Sequence, residues 1–401
     1  MRTKALAVAV ACGMACGVAW GQEAQAPAKE RPARLAAQSG GEAVARKAEP
    51  EERKPLVQVA ILLDTSGSMD GLIEQAKTQL WAIVNEFATA RQGGQRPELQ
   101  VALYEYGKQS IAQSEGYLRM IVPLSTDLDL VSQELFKLTT NGGDEFCGRA
   151  IKAATEGLAW GANPADLRLV VIAGNEPFTQ GDVDYKDAVA AAVKKGIIIN
   201  TIHCGDRQTG ASSGWEDGAK LGEGTYSFID QGAAVVHIPS PVDEQITKLG
   251  TELNATYIVY GAEGAAGQTR QWAQDANATT VAPAASLQRA VSKSSTLYCN
   301  TGWDLVDAVK RGGVKLEEVK KEELPQALQV MTIEQRCQAV DEAWSKREGI
   351  QKQIQVLEAE RQKFVTEKRK EMTGEDKTLG AALLAAMRGQ AEKKGYAFEK
   401  P

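Results

Sequence analysis

The chain has 401 residues, 43% hydrophobic and 24% charged, which is an ordinary globular composition with enough apolar material for one large core and a smaller second one. Its formal net charge of −6 offers no electrostatic attraction to phosphate, which argues against nucleic acid as a partner.

In chain order, Met1 to Lys4 supply a positive start, and Ala5 to Val18 an apolar stretch shorter than the roughly 20 residues of a membrane helix. This reads as a signal peptide over residues 1–21, with cleavage after Gly21 or, a little later, after Ala26. Lipid attachment at Cys16 is the competing reading, but the residue three before it is Gly13 rather than Leu, and the apolar run continues past it. A secreted or periplasmic product follows, with no membrane span expected in the remainder. Residues 22–54 contain no aromatic side chain and alternate charges with Ala, Gly and Pro, so they should form a flexible linker.

At Pro55 the pattern changes. Leu56 to Leu63 is a continuous aliphatic run, the mark of a strand covered on both faces. Apolar residues at 73, 76, 80, 83, 84 and 87 predict a helix over 73–90. Strands are expected at 100–106, 117–123, 167–173, 197–203 and 226–229, and helices at 130–138, 148–160, 185–195 and 241–253. Gly196 suits a left-handed helix cap. Such alternation implies an α/β fold with a doubly wound, mostly parallel sheet, spanning 55–260.

The alternation stops beyond Gly261. Residues 261–330 read as a mixed, partly helical extension, with short helices at 287–292 and 303–309. In 331–401, Ile350, Ile354, Leu357 and Phe364 share one helical stripe with Arg347 and Arg361, and Leu379, Leu383, Met387 and Ala391 form another beyond a turn at Gly374. A helical hairpin or coiled coil, with self-association through it, is one reading; a helical tail packed back on the first domain is the other. Arginines in the stripe disfavour a long dry seam. Four cysteines follow the leader. Pairing Cys147 with Cys204 and Cys299 with Cys337 would keep each bridge within one module, and buried free thiols are the alternative.

The most informative motif is Asp64-Thr-Ser-Gly-Ser-Met69, placed after a buried strand and before a helix, where ligands of doubly wound sheets collect. Asp64, Ser66 and Ser68 can converge on one point when Gly67 lets the backbone turn tightly. One carboxylate and two hydroxyls make half the octahedral oxygen shell of a hard cation and leave it electrophilic. A spare position could then take a partner's carboxylate.

On these residues the chain resembles the von Willebrand factor type A family, whose metal-ion-dependent adhesion site carries Asp-x-Ser-x-Ser at this point of the fold. The resemblance runs from about Leu56 to Gly261. It implies a bound divalent cation, Mg²⁺ with Ca²⁺ or Mn²⁺ as alternatives, and a protein partner that offers an acidic side chain.

Two departures matter. Where the family has a Thr after Gly-Gly, this chain has Asn141-Gly-Gly-Asp-Glu145, and where the third loop normally carries Thr-Asp-Gly it has Gly174-Asn-Glu176. Either the scaffold is metal-free, or Asp144 and one of Asn175 or Glu176 complete an altered shell. The expected metal ligands are therefore Asp64, Ser66, Ser68, Asp144 and Glu176. A second carboxylate would hold the ion more tightly and weaken its pull on a partner's acid.

Other chemistry has little support. Asp64-Thr-Ser-Gly67 is like the Asp-Thr-Gly turn of aspartic proteases, but that fold is all-β. His203 ends a buried strand and reads as a packed residue, and there is no zinc spacing or P-loop. A metal-dependent hydrolase would have only Glu145 or Glu176 as a base. The reading is a non-enzymatic, exported, metal-dependent binding protein, with a structural envelope component as its rival.

Overall fold

The central strand β1 (Leu56–Asp64) is buried at every residue after Leu56, as its unbroken aliphatic run demands. The structure, a computed structural model, describes residues 53–232, 237–371 and 378–399; the expected signal peptide, nearly all of the linker and the turn at Gly374 lie outside them.

After β1 come α1 (Asp70–Ala88), a short β2 (Ala90–Gln92), β3 (Glu98–Tyr106), β4 (Arg119–Ser125), α2 (Leu128–Phe136) and α3 (Cys147–Gly157). Then follow β5 (Leu167–Gly174), α4 (Tyr185–Lys194), β6 (Ile198–Cys204), α5 (Arg207–Ser212), α6 (Trp215–Leu221) and β7 (Glu223–Ile229). The main sheet has the order β4-β3-β1-β5-β6-β7, parallel throughout except for β4, which runs antiparallel to β3 at one edge. The α/β, mostly parallel reading therefore holds. Because β1 lies between β3 and β5, successive crossovers leave it in opposite directions, and a crevice opens at its carboxyl end. The predicted apolar positions of α1 are all buried, and Gly196 caps α4 at φ 68°.

The rest of the chain, hereafter the helical extension, comprises α7 (Asp243–Glu252), α8 (Gly264–Val281), α9 (Pro283–Lys293), α10 (Leu305–Lys310), α11 (Gln326–Gln329), α12 (Ile333–Lys370), α13 (Leu379–Lys393) and a final β8 (Tyr396–Phe398). The stripe Leu379, Leu383, Met387 and Ala391 does not return along α12. It packs into the sheet core with Leu63, Ile73 and Leu80, on the face that α1 and α2 also cover. The hairpin or coiled-coil expectation for 331–401 is thus replaced by a helical tail folded back on the sheet. Its apolar face is spent internally, which removes it as a seam for self-association. The chain ends by pairing β8 antiparallel with β2, where Arg91 meets Glu399 at 2.7 Å.

Helix α12 meets the rest through charge as well as apolar contact. Arg347 is buried and donates to Asp304 (2.7 Å), Asp307 (2.9 Å) and the Thr256 carbonyl (2.7 Å). A second buried cluster joins α9 to α2 and α8. Arg289 donates to Asp129 at 2.7 Å and to Asp275, and Lys293 donates to Asp275 at 2.9 Å. Stacking of Arg289 over Trp81 (4.6 Å) ties this cluster to α1.

Cys147, Cys204, Cys299 and Cys337 are free thiols. The expected Cys147–Cys204 pair does not form because the two residues belong to cores on opposite faces of the sheet. Among the described residues no helix is long and apolar enough to cross a membrane.

Candidate functional site

The register of β1 with β3 sets Asp64 opposite Tyr106, and its register with β5 sets Leu63 opposite Ala173, so three strands end level. The loops that follow carry Thr65 to Met69, Gly107 to Gln109, and Asn175 to Gln180. A fourth segment, Thr139 to Phe146, runs across them into α3.

Asp64 is fully buried. Its Oδ1 accepts from the Ser66 N–H at 2.7 Å, which bends the first loop back over the strand end, while Oδ2 makes no hydrogen bond of normal geometry. The loop closes through Met69 N–H to the Ser66 carbonyl (3.1 Å), and the Met69 side chain anchors it in the core. The Ser66 and Ser68 hydroxyls are 3.4 Å apart, and the Asn175 Nδ2 donates to Ser68 Oγ at 3.2 Å. The Asn175 Oδ1 is buried without a partner.

Glu145 completes the group. At Gly107, where φ is 78°, an added Cβ would lie 2.8 Å from Asp64 Oδ1, 2.8 Å from Glu145 Cγ and 3.5 Å from Ser66 Cβ. Only a residue without a side chain lets the turn after β3 approach the Asp64 carboxylate and the Glu145 side chain so closely. Backbone bonds hold the second loop in register: Asn141 N–H reaches the Thr65 carbonyl at 3.0 Å, and Glu145 N–H reaches Gln180 Oε1 at 2.9 Å.

Of the expected ligands, the structure brings Asp64, Ser66 and Ser68 together. Glu176 is half-buried, and its charge raises the pKa of both Asp64 and Glu145. Asp144 is not part of the group: its side chain is exposed, and its neighbour Glu145, 7% exposed, turns inward instead. Asn175, an alternative to Glu176 in the sequence, is the third-loop residue that touches Ser68. The signal that separates Asp144 from Glu145 is distance to α3: Glu145 lies two residues before Cys147, where the chain is already returning to the sheet.

The electrostatics are unusual for a buried site. Burial pushes Asp64 up to about 6, with the Ser66 N–H and hydroxyl opposing and the Glu176 charge adding. Burial also pushes Glu145 up to about 7, with the neighbouring Asp64 charge as the next cause. Among the described residues no Lys, Arg or His forms an ion pair with Asp64, Glu145 or Glu176. The nearby Lys108 is committed elsewhere, to Glu105 at 3.1 Å and the Thr139 carbonyl at 2.8 Å. Nor do three or more His, Cys, Asp or Glu side chains come together as a metal group among the described residues. A cation here would rest on two carboxylates plus hydroxyl and amide oxygens. That all-oxygen set suits a hard divalent ion.

The family model described as von Willebrand factor type A domain matches residues 58–213. Among solved structures, BatB from Bacteroides thetaiotaomicron is 19% identical, with a TM-score of 0.33 over 43% of this chain and 90% of that one. The SpRpn10 VWA domain is 13% identical, with a TM-score of 0.32 over 48% of this chain and 95% of that one. Proximal thread matrix protein 1 from the mussel byssus, a structure with a zinc-occupied MIDAS motif, is 13% identical, with a TM-score of 0.33 over 44% of this chain and 42% of that one. The search of curated proteins returned no significant match. With its family-model match, its sheet order and Asp64-Thr-Ser-Gly-Ser68 at the carboxyl end of the central strand, the segment 58–213 of this chain is a von Willebrand factor type A domain.

Proposed function

We propose that this is a non-enzymatic binding protein that holds one divalent cation, Mg²⁺ first and Ca²⁺ or Mn²⁺ as alternatives, at the carboxyl end of β1. The ligands are Asp64, Ser66, Ser68 and Glu145, with Asn175 or Glu176 from the third loop. The observation that carries this is a pair of buried carboxylates, Asp64 and Glu145, with no cation of the chain's own beside them. When bound, the ion balances those charges. The chain's own part is to hold three loops at fixed spacing, through Asn141 to Thr65 and Glu145 to Gln180, so that they form a rigid edge.

The partner is another protein docking on that edge, since type A domains are typically interaction modules. Export rests on residues 1–21 and predicts that mass spectrometry of the natural product will find its N-terminus at Gln22 or Pro27. Calorimetric titration with Mg²⁺, Ca²⁺ and Mn²⁺ tests the metal. Saturable heat is expected from the wild type and none from Asp64→Ala; equal heat from both, or none from either, removes the proposal.

A further inference from the structure

Type A sites that recruit a partner's carboxylate need a cation left short of negative charge. This chain does the opposite, and the difference can be traced to one residue. Glu145 is buried, and its Cγ and Asp64 Oδ1 would each lie 2.8 Å from a Cβ added at Gly107, with the Ser66 Cβ at 3.5 Å. A divalent ion held there meets two ionised carboxylates, which balance its charge in full. Glu176 stands close enough to act on both through its charge. Around the mouth the surface is acidic as well: Asp70 and Asp144 are exposed, and Asp70 is held at the rim by the Thr140 hydroxyl. A further carboxylate would have to approach a neutralised ion through a negative rim.

We propose that Glu145 occupies the coordination position a partner's acid would otherwise take, so that the filled site is closed to external carboxylates. This rests on the metal reading above. Glu145 is tethered by the chain, so its effective concentration at the ion exceeds that of any free carboxylate.

The test is Mn²⁺ binding to the full chain, measured calorimetrically at matched ionic strength and free Mn²⁺ in chloride and in excess acetate. Wild type should bind Mn²⁺ with the same affinity in both. Glu145→Ala should bind about tenfold more weakly in chloride, the loss of one charged ligand, and should recover several-fold in acetate. Glu145→Gln keeps the shape and an oxygen, so it should bind more weakly without gaining from acetate, and it covers the case in which the alanine variant does not fold. Tighter wild-type binding in acetate overturns the proposal, as does wild-type affinity in Glu145→Ala or, should that variant not fold, in Glu145→Gln. A wild type that binds no Mn²⁺ in either salt sinks the metal reading itself, which is a distinct outcome.

Discussion

Two parts of this molecule bury carboxylates, and they treat them differently. In the helical extension and where it meets α2, four acids have cationic partners: Arg289 for Asp129 and Asp275, Lys293 again for Asp275, and Arg347 for Asp304 and Asp307. The matched acids respond unequally, since burial raises Asp304 despite Arg347. Asp275 is held below its ordinary pKa by Arg289 and Lys293 although burial alone would raise it. At the sheet edge Asp64 and Glu145 are buried with no such partner, and both rise. A chain that supplies cations for interior acids elsewhere supplies none to these two among the described residues.

The strongest way to break the comparison is to make the extension resemble the site. Arg347→Met should strand Asp304 and Asp307 in the interior and cost about 3–5 kcal/mol in denaturant unfolding. A loss below 1 kcal/mol would mean that the extension tolerates uncompensated acids, and the contrast would lose its force. Met387→Ala should cost about 3 kcal/mol, because α13 fills the sheet core rather than lying on its surface. A near-neutral result would show α13 to be detachable.

The next two effects act on the site. Divalent cation at about 100 times its dissociation constant should stabilise the wild type by about 2.7 kcal/mol, seen as a rise in Tm that Asp64→Ala lacks. In chelator the sign of the pH dependence follows from the raised acids. Asp64 and Glu145 bind protons more tightly folded than unfolded, so their contribution is complete below about pH 4 and is lost as pH rises through about 6 and about 7. Stability should fall by roughly 2 kcal/mol more in wild type than in Glu145→Gln between pH 5 and 8. His203, pushed down by burial, gains stability as pH rises in both proteins, so the difference isolates the carboxylates. Parallel profiles would contradict the assignment.

What the sequence conveys depends on how local each cause is. The strand β1, the helix α1 and the convergence of Asp64, Ser66 and Ser68 arise from periodicity and spacing within about 30 residues, and these could be read directly. Helix α8 could not. Its buried positions are Gly264, Gly267, Gln271, Gln274 and Ala278, which form no apolar stripe because polar partners such as Asn254 and Ser132 meet it. The stripe on α13 was plain, but its destination was not, since a hairpin and a sheet face ask for the same four residues. The inward-facing acid of the second loop was missed by one position for a similar reason. Which of two adjacent acids faces inward depends on where α3 begins, and helix starts are the least certain feature of a sequence.

That single position gives the smallest and sharpest prediction. Asp144 and Glu145 have the same charge and adjoining places in the chain, yet one is exposed and the other buried against Asp64. Asp144→Ala should change stability by no more than about 0.5 kcal/mol, the range of surface substitutions, and should leave Mn²⁺ affinity nearly as it was. It removes only a rim charge, whose long-range effect salt screens. Calorimetry of this variant beside Glu145→Gln decides the matter. A large loss in Asp144→Ala with little in Glu145→Gln would mean that the second loop turns its other acid to the ion, and the contrast between matched and unmatched carboxylates would have to be rebuilt around residue 144.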